Sequence, residues 1–316
     1  MILKVSSLAS IRSVGLHSIA QLDRDLVAEI LSRSVAMKTK DKCLDSLSGI
    51  ELALMFFEPS TRTRVSFEVA ARRLGANVVN FDAGSSSISK GESLKDTVLT
   101  VAAFGFSGMV VRSPFAGATA QIADWTSLPV LNAGDGAHQH PSQALLDALS
   151  IVESRGSLEV FASLRIGIVG DVVHSRVARS LVELFSLLGS EVVLIGPRTL
   201  LPTLTAGVKL SVDDNLDEHL GDLDVVYLLR VQQERIDQGL IPSYGEYMSR
   251  YSLSRERFAH LKCDALIMHP GPVFPGMELD AQVSESSNSL IREQNRNSVF
   301  VRMALLEMIY APQEML

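Results

Sequence analysis

Leu52-Ala53-Leu54-Met55-Phe56-Phe57-Glu58-Pro59-Ser60-Thr61-Arg62-Thr63-Arg64 reads as a strand that runs into a tight turn and then into a helix. Leu52 to Phe57 is continuously apolar, as a strand buried on both faces would be. Pro59 and Ser60 interrupt the run. Beyond them Val65, Phe67, Val69, Ala70 and Leu74 recur at helical spacing, so the helix begins within Ser-Thr-Arg-Thr-Arg. The first turn of a helix offers free N–H groups and the positive end of the helix dipole, and hydroxyls and a guanidinium here add oriented donors. Such a turn suits a phosphate. On these residues alone, an ordinary Ser N-cap beside solvated arginines remains the alternative.

Outward from this stretch, short Val-, Ile- and Leu-rich runs alternate with amphipathic segments, the pattern of β-α units around parallel sheets. Leu52 to Phe57, Val78 to Phe81, Met109 to Val111 and Val130 to Asn132 form one series of strand candidates. Arg165 to Gly170, Glu191 to Ile195, Asp224 to Leu229 and Ala265 to Met268 form a second. Between them Pro141 to Ser154 carries Ala144, Leu145, Ala148, Leu149 and Val152 at helical spacing after a proline suited to a first helical position. Ser298 to Tyr310 is helical by the same test, whereas Gln232 to Ser254 lacks periodicity and reads as a long surface loop. The expected fold is α/β, with two domains that are each a parallel β-sheet flanked by helices: residues 1–141 joined by a returning segment 294–316, and residues 142–293.

A length of 316 residues exceeds what one core usually supports, and 47% hydrophobic with 21% charged residues is ordinary for a globular protein. The formal net charge of -7 argues against general affinity for nucleic acid or an anionic membrane. Cys43 and Cys263 lie far apart and form neither a disulfide framework nor a zinc pattern. With no leader-like start and no run long enough to span a membrane, a cytoplasmic location is expected. Gly167, Gly170 and His174 do not give the dinucleotide spacing.

Ser60 to Arg64 after Phe57-Glu58-Pro59 resembles the carbamoyl phosphate signature of the aspartate and ornithine carbamoyltransferases. The likeness continues in order along the chain. Ser87-Ile88-Ser89-Lys90-Gly91-Glu92 looks like the loop in which a lysine reaches the neighbouring subunit's active site, although Ser86, Ser87 and Ser89 compete for the serine role. Val110-Val111-Arg112 looks like the strand end whose arginine contacts carbamoyl phosphate, and Asn132 to Asp147 like the segment with the catalytic histidine, His140, and a glutamine, Gln143. Gly170 to Ser180, with Arg176, and Leu229 to Arg235, with Arg230 and Gln232, resemble the aspartate-binding segments, and His269-Pro270-Gly271-Pro272 the closing loop. After Val273, many relatives have Asn-Arg-Gly where this chain has Phe274-Pro275-Gly276, which leaves the local contacts of that loop in doubt.

The resemblance implies transfer of a carbamoyl group from carbamoyl phosphate to the amine of L-aspartate, an early step of pyrimidine synthesis, with no metal or organic cofactor. It implies that Ser60, Thr61, Arg62, Thr63, Ser87, Arg112, His140, Gln143, Gly271 and Pro272 bind carbamoyl phosphate. Lys90, Arg176, Arg230 and Gln232 would bind aspartate, and Arg62, Thr63, Lys90, Arg112 and His140 would carry the chemistry. It further implies a homotrimer with shared sites, and leaves open assembly with regulatory chains or a dihydroorotase. The residues have physical readings of their own. His140 precedes a helix start, where the dipole favours a neutral imidazole able to donate to a carbonyl oxygen. Arg176 and Arg230 follow predicted strands, where ligands bind in open α/β sheets. Glu58, Lys90 and His269-Pro270 point to the aspartate branch rather than the ornithine branch. A non-catalytic homologue should have lost phosphate or carbonyl ligands, and this chain retains Arg62, Lys90, Arg112, His140 and Gln143.

Overall fold

The computed structural model describes residues 7–39, 44–82, 92–203, 209–231, 239–241, 243–274 and 276–312. Ser86, Ser87, Ser89, Lys90, Gln232, Cys43 and Pro275 lie outside them. The chain divides into two compact units, Met1–Leu149 with Arg296–Leu316, and Ser150–Asn295.

The first unit opens with α1 (Leu8–Val14), β1 (Gly15–Leu16) and α2 (Arg24–Thr39). There follow β2 (Glu51–Phe56), α3 (Thr61–Arg73), β3 (Asn77–Asp82), α4 (Leu94–Ala102), β4 (Gly108–Ser113), α5 (Ala118–Thr126) and β5 (Val130–Asp135). Its five strands are parallel, in the order β1-β5-β4-β2-β3. Leu52 to Phe56 is buried throughout, because β2 is covered on both edges and both faces; each of Leu52, Leu54, Met55 and Phe56 contributes about 1.5–3 kcal/mol. Ala53, Met55, Met109, Val111, Val98 and Ile122 share one core. After α6 (Pro141–Arg155), the second unit holds β6 (Arg165–Val169), α7 (Arg176–Leu188), β7 (Glu191–Ile195), β8 (Leu210–Asp213) and β9 (Val225–Leu228). It continues with α8 (Tyr244–Tyr251), α9 (Arg255–Ala259), β10 (Leu266–Met268) and α10 (Ala281–Ser284), and α11 (Ile291–Tyr310) begins in it and passes into the first unit at Arg296. The strand order here is β10-β9-β6-β7-β8, again all parallel.

In the first sheet the chain leaves β2 toward β3 and then returns to place β4 on β2's other side. In the second, β6 leads to β7 and β8 before β9 takes β6's other side. Each sheet therefore reverses its winding once, between β2 and β4 and between β6 and β9, and ligands of open α/β sheets bind outside the carboxyl ends of the strands at such reversals. Phe56 is in register with Arg112 and Val169 with Leu228, so the candidate residues leave the sheets at these two places.

Three expectations change. Each sheet has a fifth strand: β1 has only two residues and β8 is a half-exposed edge strand, so neither makes a run long enough to recognise. The segment read as loop contains α8, capped by Ser243, with Tyr247 and Tyr251 in the core of the second unit. The last helix begins at Ile291, not at Ser298. Its C-terminal end is fitted closely to the first sheet. Tyr310 donates to the carbonyls of Met109 (3.0 Å) and Pro129 (3.1 Å), and a Cβ at Gly108 would lie 2.1 Å from its ring. Glycine is the residue this approach requires.

Candidate active site

α3 starts where β2 ends. Its buried residues Thr63, Ser66, Phe67, Ala70 and Ala71 set the inward face, and Gly75, at φ +83°, follows its end. Ser60 is the N-cap, yet its side chain makes no capping hydrogen bond, unlike Ser93, Ser175 and Ser243 at the starts of α4, α7 and α8. Thr61 and Arg62 are exposed and Thr63 is buried. The hydroxyl of Ser66 donates to the carbonyls of Arg62 (2.6 Å) and Thr63 (3.0 Å), which braces this first turn from inside.

Arg112 sits beside that turn at the end of β4. Its Nε donates to Glu58 Oε1 at 2.8 Å, a second nitrogen lies 2.7 Å from the same oxygen, and a third donates to the Ala133 carbonyl at 3.2 Å. A half-buried guanidinium held by such charge-assisted bonds loses little freedom when it meets a ligand. Glu58, read from the sequence only as a marker of one branch, thus positions the arginine.

His140 is 4% exposed and immediately precedes α6. The loop that presents it is organised by Asp135, which the sequence reading did not single out. Its carboxylate is fully buried and accepts from Gly117 N (2.8 Å), Asn132 Nδ2 (2.8 Å) and Gln139 N (3.0 Å), while His138 Nδ1 lies 3.0 Å away. Asp135→Asn turns an acceptor toward these donors into a partial donor. It is expected to lower stability by about 2–3 kcal/mol. A fall in the thermal unfolding midpoint together with a lower kcat checks it; an unchanged midpoint counts against this role. One turn into α6, Gln143 donates its Nε2 to Asp147 at 2.9 Å, which leaves the amide carbonyl oriented as an acceptor.

In the second unit Arg176 is the first residue of α7, where Ser175 caps the Ala178 amide. Arg230 follows β9 and is exposed, with its guanidinium 5.4 Å from the centre of the Phe274 ring. Phe274 lies in the closing loop, and its ring gives Arg230 an aromatic face. Buried Glu278 accepts from Val231 N (3.0 Å) and Phe274 N (3.1 Å) and so ties the segment after β9 to the closing loop. Burial raises its pKa, and these two amides oppose the rise. His269 Nδ1 accepts from Gly271 N at 2.8 Å, which shapes the turn ahead of Pro272.

The structure thus brings Ser60, Thr61, Arg62, Thr63 and Arg112 to one switch point, with His140 and Gln143 at the start of α6, and Arg176 and Arg230 to the other switch point. A groove of about 390 Å³ bordered by Arg165, Glu191 and Lys209 lies at the opposite, amino ends of the second sheet's strands. Among the described residues, no three or more His, Cys, Asp or Glu side chains are grouped to hold a metal ion, and no helix is long and apolar enough to cross a membrane.

Residues 15–153 match the family described as aspartate/ornithine carbamoyltransferase, carbamoyl-P binding domain, and residues 162–309 match its Asp/Orn binding domain. The chain belongs to the aspartate/ornithine carbamoyltransferase family. Within this family it is 48% identical over 283 residues to the aspartate carbamoyltransferase catalytic subunit of Thermobifida fusca (strain YX), covering 90% of this chain and 88% of that one. It is 46% identical over 302 residues to that of Rhodococcus erythropolis, covering 92% and 95%. Among solved carbamoyltransferase structures, the aspartate transcarbamoylase of Trypanosoma cruzi in complex with N-(phosphonacetyl)-L-aspartic acid matches with a TM-score of 0.85 at 29% identity, covering 98% of this chain and 100% of that one.

Proposed function

We propose that this chain transfers the carbamoyl group of carbamoyl phosphate to the amino group of L-aspartate, giving N-carbamoyl-L-aspartate and phosphate, an early step of pyrimidine synthesis. The observation that carries the reading is the helix start at Ser60, uncapped by its own side chain, beside the guanidinium of Arg112. The first turn of α3 and Arg62 hold the phosphate dianion. Arg112, His140 and Thr63 polarise the carbamoyl carbonyl, and the Gln143 carbonyl, oriented by Asp147, accepts from the carbamoyl nitrogen. The uncharged amine of aspartate attacks the carbonyl carbon and a tetrahedral oxyanion forms. The bond from that carbon to the phosphate oxygen then breaks, and the departing phosphate takes the proton lost by the amine. Orientation and preorganised positive charge supply the acceleration, without a covalent nucleophile.

Residues of the first unit take carbamoyl phosphate and those of the second take aspartate, whose carboxylates meet Arg176, Arg230 and Gln232. Ser87 and Lys90 reach the site from a neighbouring subunit, so the working unit is a homotrimer. Purified protein should form carbamoyl aspartate from the two substrates at millimolar concentration. Folded trimer that turns over neither aspartate nor ornithine would be the non-catalytic homologue, and turnover of ornithine in place of aspartate would assign the other branch.

A further inference from the structure

Arg302 is the only buried Arg or Lys among the described residues, 2% exposed on α11. Taking a guanidinium out of water is costly unless its charge and all its N–H groups are met. Here the compensation is incomplete, since Nε is buried without a hydrogen-bond partner. What the group does meet belongs to the phosphate turn. One terminal nitrogen donates to Ser66 Oγ, the hydroxyl that braces the Arg62 and Thr63 carbonyls, and the guanidinium lies 4.7 Å from the centre of the Phe67 ring. Burial pushes its pKa down to about 9; the charge of Arg112 adds to that and the charge of Asp147 opposes it. Arg302 is therefore within electrostatic reach both of the arginine beside the turn and of the carboxylate that orients Gln143.

We propose that Arg302 is a positioning residue for the phosphate turn: through Ser66 it holds the first turn of α3 in its anion-binding shape, and its buried charge adds positive potential behind that turn. The inference rests on the reading of that turn as the carbamoyl phosphate site. A helix start binds a dianion well only when its amides stay aligned, and the first turn is where helices fray. A purely structural Arg302 behaves differently. A buried ionic group that only fills the core can often be exchanged for an apolar side chain of similar volume without loss, or with a gain in stability.

The test uses the full chain in its assembled state. Binding of inorganic phosphate is measured by calorimetry, with KM for each substrate, for the unaltered chain, Arg302→Met, Arg302→Lys and Ser66→Ala. Arg302→Met is expected to weaken phosphate binding by roughly tenfold, the scale of one charge-assisted hydrogen bond. KM for carbamoyl phosphate should rise while KM for aspartate at saturating carbamoyl phosphate moves far less. Arg302→Lys should recover part of the loss, because it restores the charge but not the planar fork. Ser66→Ala should weaken phosphate binding in the same direction, and with the lysine variant it decides the matter if Arg302→Met does not fold. Phosphate affinities within about twofold of the unaltered chain in the folded variants overturn the proposal. An unaltered chain that binds no phosphate overturns the site reading itself.

Discussion

Replacing Arg112 by alanine is expected to lower kcat by about 10²- to 10³-fold, the range seen when one preorganised donor to a developing oxyanion is removed. The size follows from how the side chain is held. Two contacts to one Glu58 oxygen and one to the Ala133 carbonyl fix the fork before any ligand arrives, so its reorganisation cost during the reaction is small. Arg112→Lys should recover little, because a point charge on a flexible stem cannot reproduce three directed contacts. Glu58→Gln retains an acceptor and loses the charge, so it should cost less than either change at Arg112 itself. Steady-state kinetics on protein with an unchanged thermal midpoint checks the series. A kcat for Arg112→Ala within about threefold of the unaltered chain would remove Arg112 from the chemistry.

The second large effect concerns the subunit as the unit of activity. Arg62→Ala and Lys90→Ala should each be nearly inactive alone, since one loses the phosphate turn's cation and the other, in the proposed trimer, a cation delivered by a neighbour. Dissociated and reassociated together, they should regain activity, because a mixed trimer contains about one site in three with both residues intact. Unaltered protein taken through the same cycle is the control. If it reassembles with full activity while the mixture stays inactive, Lys90 acts within its own chain.

The part of this molecule that can be read from the sequence is local. β2, β4, β6 and β7 are buried on both faces, and strands of that kind leave continuous apolar runs such as Leu52 to Phe56. The phosphate turn is legible for the same reason, since strand, turn and helix start follow one another within a few residues. Edges are harder: β8 is only half covered, so its side chains carry little hydrophobic signal. α8 was hidden because its exposed face is polar and only Tyr247 and Tyr251 mark the buried one. The supports of the site are the least legible, because they join distant residues. Glu58 and Arg112 are separated by 54 positions, and Ser66 and Arg302 by 236. The one local clue to Arg302 was a charge inside an otherwise apolar helical run, between Val301 and Met303. Asp135 had a weaker one, an acidic residue set between Gly134 and Gly136.

The first unit is discontinuous in sequence, and Arg302 and Tyr310 belong to its last segment. On the ribosome that segment is made after every residue of the second unit. The aspartate half is complete as a contiguous stretch before the phosphate half receives its final helix. Nascent chains therefore reach a state in which the second half can be finished while the phosphate turn still lacks its internal brace.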